Sequence, residues 1–112
     1  MIAARIATAL GGEAAIVTAA ADNMVESILH DVRAAAAVSG ESVLVLIEHD
    51  VAAVSRAMLR AAIGPLAIEC SPGSRINALY ITADASADDV IAAAIFLACA
   101  HSTTGQVIDV GS

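Results

Sequence analysis

Residues 42–48, Ser-Val-Leu-Val-Leu-Ile-Glu, constrain the fold more than any other stretch of this chain. The run is continuously apolar from Val43 to Ile47 and rich in β-branched residues, with turn residues on either side. A helix needs a longer periodic pattern, and a strand with one wet face would alternate. A run of this kind suits a strand buried on both faces of a parallel sheet, and such a sheet needs helices above and below it.

The flanking sequence supplies those helices. Residues 2–10 carry a short helical pattern that ends at Gly11-Gly12, and residues 14–20 suit a second buried strand. Asn23 and Glu26 have the spacing of a capping box. Val25, Ile28, Leu29, Val32 and Ala36 then recur at helical intervals, with Gly40 as the stop. Asp50 is placed to cap a helix over 51–63. Gly64-Pro65 should bend or interrupt it before a further turn to Glu69, because proline lacks a donor and crowds the preceding turn. A loop at 71–74 leads to a strand at 75–81. Ser86 is a cap, with Asp88 and Asp89 in the favoured first turn. Val90, Ile91, Ala94, Ile95 and Ala98 mark the last helix, and a strand at 106–110 closes the run. Strict alternation of helix and strand predicts an α/β fold with a parallel sheet of about four strands and right-handed crossovers. At 112 residues the chain has room for a single domain, residues 1–112.

Composition narrows the partners. Five basic residues stand against 12 acidic ones, a formal charge of −7, so no basic face is available for nucleic acid or an anionic membrane. Aromatic residues make up 2% of the chain, so the core must be built from Ala, Val, Ile and Leu. The mean hydropathy of +0.82 raises the question of a membrane span. The longest uncharged stretch, residues 90–108, loses its apolar character after Ala100 and falls short of the roughly 20 residues a span needs. The N-terminus has no signal-peptide pattern. Cys70 and Cys99 do not form a C-x-x-C pair and read as buried thiols of a cytoplasmic protein, although spacing alone leaves a disulfide open.

One region carries a family resemblance. After the Pro-Gly loop come Arg75-Ile76-Asn77, the acidic-capped helix from Asp88 to Ala98, and Thr104-Gly105-Gln106 before a final strand. This combination resembles the C-terminal part of the short-chain dehydrogenase/reductase family. Residues 23–50 match the preceding helix and strand more loosely, and residues 1–22 are similar to two different places in the family. The resemblance implies a partial Rossmann-like, three-layer fold holding the later strands of the family's sheet, with Asn77, Thr104 and Gly105 in structural roles. It implies a truncated relative, because complete members are considerably longer.

It also implies where chemistry would sit. The family binds NAD(P) at a Gly-rich turn after its first strand. The Gly11-Gly12 pair follows a helix instead and reads as a helix cap, so no cofactor is expected on this chain alone. NAD(P) is expected only in a complex with a full-length partner. The family's catalytic Tyr and Lys map near Ala52 and Arg56, and its Ser near Glu48 or His49. Tyr80, the only tyrosine, lies on the next strand. No catalytic set is therefore expected.

The remaining candidates are Arg56 and the group Glu48, His49 and Asp50, which lies at a strand's carboxyl end, where α/β proteins place ligands. His30 and His101 read as surface residues, and Ser102, Thr103 and Thr104 as turn formers. No metal site is expected. The expected role is a non-catalytic subunit that assembles with itself or with an active family member, through the helices at 23–39 and 51–63 and the last helix and strand. The alternatives are an oxidoreductase whose site a partner completes, or a decayed fragment without selected function.

Overall fold

The computed structural model describes residues 2–12, 14–39 and 42–111. Gly40, the expected stop of the second helix, lies outside these residues. The described elements are α1 (Ile2–Leu10), β1 (Ala15–Ala19), α2 (Val25–Ser39), β2 (Ser42–Glu48), α3 (Ala53–Cys70), β3 (Arg75–Ile81), α4 (Ala87–Cys99) and β4 (Val107–Val110). The strands pair in parallel in the order β1-β2-β3-β4. This is the expected α/β architecture, a partial Rossmann-like fold in three layers.

The double burial of β2 organises the layers. Val43, Val45 and Ile47 pack with Ile28 and Val32 of α2 and with Leu59, Ile63 and Leu66 of α3. Leu44 and Leu46 face the other way, against Ile6 and Leu10 of α1 and Val90, Ala94 and Leu97 of α4. Side chains alternate across a strand, so one apolar run feeds two separate cores. Small Ala side chains on α4 let that helix lie close to the sheet.

Several local expectations hold. Gly11 takes φ 58° and Gly12 φ 85°, and the Gly11 N–H closes the last turn of α1 on the carbonyls of Ala7 and Thr8. The left-handed conformation there is the one glycine adopts without steric cost. Ser86 caps α4, its hydroxyl accepting the Asp89 N–H at 3.1 Å.

Others are corrected. The helix α3 runs through Gly64-Pro65 without a break. Pro65 is exposed, so its ring points to solvent, and Gly64 offers no Cβ for that ring to strike. Leu66 and Ala67, both buried, hold the following turns to the sheet. Asp50 lies in the turn before α3, whose N-cap is Ala52 and has no side-chain cap. Asn23 falls one residue too early to cap α2, because the helix starts at Val25. Its side-chain oxygen accepts the Ala20 N–H at 2.7 Å and closes the turn after β1. On α4 the buried stripe is Val90, Ala94, Leu97 and Ala98, which turns Ile95 outward. The same geometry exposes Cys99, and Cys70 is only half-buried. Both thiols are free, so the expectation of two buried cysteines fails. Among the described residues no helix is long and apolar enough to cross a membrane.

Leu46 is buried at the centre of the α1/α4 core. Leu46→Ala should lower unfolding free energy by about 2–5 kcal/mol, read from the urea midpoint. The Arg33–Glu69 pair, 2.6 Å apart, bridges α2 and α3 on the surface. The hydrogen bond from Arg33 holds the Glu69 carboxyl below its usual range. Its contribution is therefore complete above the ordinary carboxylate pKa and lost as pH falls through the lowered one. Urea titrations across acidic pH should show Glu69→Gln flattening that part of the stability profile, and added salt should weaken the effect.

Candidate functional site

Along β3, Ile76 and Ala78 belong to the α2/α3 core, so alternation places Tyr80 on that same face. The strand is then roofed by α3. Arg56 and Arg60 lie four residues apart on this helix and therefore side by side. The Arg56 guanidinium sits 5.1 Å from the Tyr80 ring centroid, and its Nη1 donates to the phenol oxygen at 3.3 Å. The Arg60 guanidinium sits 5.7 Å from the same centroid. Its Nη1 donates to Asp109 Oδ1 at 2.6 Å, and Asp109 is the register partner of Tyr80 on β4. Three elements thus bring two guanidinium groups, one phenol and one carboxylate to the carboxyl ends of β3 and β4. Arg56, Arg60 and Tyr80 are each half-buried, which weakens solvent screening of the two charges.

Among the described residues Arg56 is thus the one candidate whose side chain meets other polar chemistry. Glu48 continues the face of Leu44 and Leu46, and its register partner Ile81 packs on the α1/α4 core. It therefore lies on the opposite side of the sheet from Arg56. His49 and Asp50 occupy the exposed turn that follows. The three are adjacent in sequence, but they do not converge with Arg56 on one site. Among the described residues no group of three His, Cys, Asp or Glu side chains is placed to hold a metal ion. His30 and His101 are exposed, and Ala52 is the exposed N-cap of α3.

A second polar cluster lies at the other end of β3 and is structural. Asn77 is 1% exposed, and it donates from Nδ2 to the Thr103 carbonyl and accepts the Gln106 N–H at Oδ1, both at 3.0 Å. The Thr104 hydroxyl accepts the Ile76 N–H at 3.0 Å. Gly105 donates to the Ile76 carbonyl at 2.7 Å. It does so at φ 78°, with space for a Cβ only against Ala67 and Gly64 of α3. Arg75 spends its guanidinium on the end of α4, donating to the carbonyls of Leu97, Ala98 and Ala100. These carbonyls have no partner within the helix, and a cation suits that pole of its dipole. The whole connection from α4 to β4 is tied to the first three residues of β3.

A family model described as short chain dehydrogenase-like protein matches residues 8–110. The chain belongs to the short chain dehydrogenase-like family. No curated protein and no solved structure gives a significant match. In this short chain dehydrogenase-like chain the Arg-Ile-Asn and Thr-Gly-Gln motifs fasten one strand to the next.

The Arg56–Tyr80 contact escapes a reading by motif, because the two residues lie on different elements, 24 apart. The signal that finds it is the alternation of β3 combined with a right-handed crossover, which lays α3 over that strand. Asn77→Ala should leave the Thr103 carbonyl and the Gln106 N–H without their partner. Denaturant unfolding should show a loss of about 1–3 kcal/mol with an unchanged slope.

Proposed function

We propose that this chain is a non-catalytic member of its family that acts as a cytoplasmic subunit, assembling with a second copy or with an active short-chain dehydrogenase/reductase. The observation that carries this reading is the outer face of α3. Val54, Met58 and Ile68 are 73%, 52% and 78% exposed, and Ala57, Ala61 and Pro65 are exposed beside them. Positions 54, 58, 61, 65 and 68 recur at intervals of three and four, so they form one stripe along the helix. The charges of α3 lie off this stripe, with Arg56 and Arg60 turned to Tyr80 and Glu69 to Arg33. A contiguous apolar face of this kind marks an interaction surface. Short side chains at Ala57 and Ala61 permit close approach of a second helix.

The absence of an ionisable side chain at Ala52, where the resemblance implies the family's acid–base tyrosine, supports the non-catalytic part. The two free cysteines fit a reducing compartment. The Arg56–Tyr80 contact favours the second reading, an oxidoreductase whose site a partner completes and whose NAD(P) that partner binds.

Sedimentation velocity over a concentration series tests the assembly. At micromolar protein the chain should sediment as a dimer, or bind a defined full-length short-chain dehydrogenase/reductase added to it. Ala61→Asp and Met58→Glu should weaken the association at least tenfold, about 1.4 kcal/mol, while the circular dichroism stays unchanged. A monomer that unfolds cooperatively, binds no family member and ignores both substitutions would refute the reading.

A further inference from the structure

We infer that Arg56, Tyr80 and Arg60 form a binding site for a small carboxylate. The inference does not depend on assembly. It begins with the pairing of the cations. Arg5, Arg33 and Arg60 each have a carboxylate within 4 Å, at Asp88, Glu69 and Asp109. Arg75 is occupied by the carbonyls at the end of α4. Among the described residues Arg56 has no carboxylate, and it engages the Tyr80 oxygen with one nitrogen only. A guanidinium carries its N–H donors in a planar fork, so most of the donor capacity of Arg56 is left open. In a chain of net charge −7, Arg56 is, among the described residues, the one arginine met neither by a carboxylate nor by a set of carbonyls.

The open fork is also held in place. The Arg56 guanidinium lies over the Tyr80 ring with one nitrogen bonded to its phenol oxygen, and the Arg60 guanidinium borders the same ring. Arg60 is itself held by Asp109. Two like charges next to one ring raise the local potential, and an anion relieves it. A preorganised site of this kind loses less side-chain entropy on binding.

The groups on the page select the ligand class. The planar fork of Arg56 matches a carboxylate through two parallel hydrogen bonds. Tyr80, whose oxygen already accepts from Arg56, keeps its own hydrogen to donate. Two guanidinium groups and one carboxylate leave a single positive charge, which a monoanion neutralises. Asp109, alongside, disfavours a dianion such as phosphate. The position at the carboxyl ends of β3 and β4 is where open parallel sheets admit small molecules.

Tyr80 is the only tyrosine and the chain has no tryptophan, so intrinsic emission reports this ring alone. The full chain is titrated with acetate at constant ionic strength, balanced with chloride. The emission change should saturate with a Kd in roughly the millimolar range. Arg56→Gln should weaken binding at least tenfold. Arg56→Lys, which keeps the charge but loses the fork, should weaken it severalfold with the circular dichroism unchanged. Phosphate should bind more weakly than acetate. An emission change that does not saturate, that chloride reproduces, or that Arg56→Gln leaves intact overturns the site. A separate dilution series without acetate identifies the other source of a carboxylate. If Tyr80 emission changes with protein concentration and Ala61→Asp abolishes that change while acetate has no effect, an acidic side chain of a second copy fills the site. The small-ligand assignment is then wrong, although the assembly reading survives.

Discussion

A strand buried on both faces must also have its backbone paired on both edges, and β2 meets both demands at once. Its carbonyls and amides are taken up by β1 on one side and β3 on the other, while Val43 to Ile47 alternate between two cores. An unpaired peptide group in that position would cost as much as several buried methyl groups return. The helices have little freedom once this is fixed. Two cover each face: α2 and α3 lie on one, and α4 joins α1 on the other. The strands advance in one direction, so the crossover through α4 has the opposite hand to those through α2 and α3, and the expectation of right-handed crossovers throughout fails there. The roof over Tyr80 follows from the crossover through α3.

The two ends of β3 then serve different purposes. At its start, Arg75, Asn77 and the Ile76 backbone take up the groups left open by the end of α4 and the loop before β4. Among the described residues no buried side-chain nitrogen or oxygen lacks a partner. At its carboxyl end, cations, a phenol and a carboxylate gather with donors still open to solvent. Order at one end and open polar capacity at the other is how a parallel sheet carries a ligand without losing its frame.

The layer order was legible because it rests on short-range chemistry. The apolar run at 42–48, the Ser86 cap and the spacing on α2 each act within one element. The misreadings arose where a neighbour in space overrides a local rule. Proline interrupts a helix when its ring meets a crowded turn, and Gly64 together with an outward ring removes that conflict at Pro65. Cys99 looks buried in an apolar window, yet the phase of α4 against the sheet points it outward. The trio Glu48, His49 and Asp50 is contiguous on paper, but alternation and a turn disperse it. Arg56 and Tyr80 are remote on paper and meet because one helix overlies one strand.

The sheet has one more property. Spatial order and chain order coincide, so every new strand joins the edge left by the one before it. No later segment has to be inserted between strands that have already paired. During synthesis, residues leaving the ribosome can dock unit by unit in the order in which they emerge. Each crossover helix covers its part of the sheet before the next strand arrives. The growing edge is at each stage the youngest strand, whereas the outer edge of β1 takes no strand partner among the described residues.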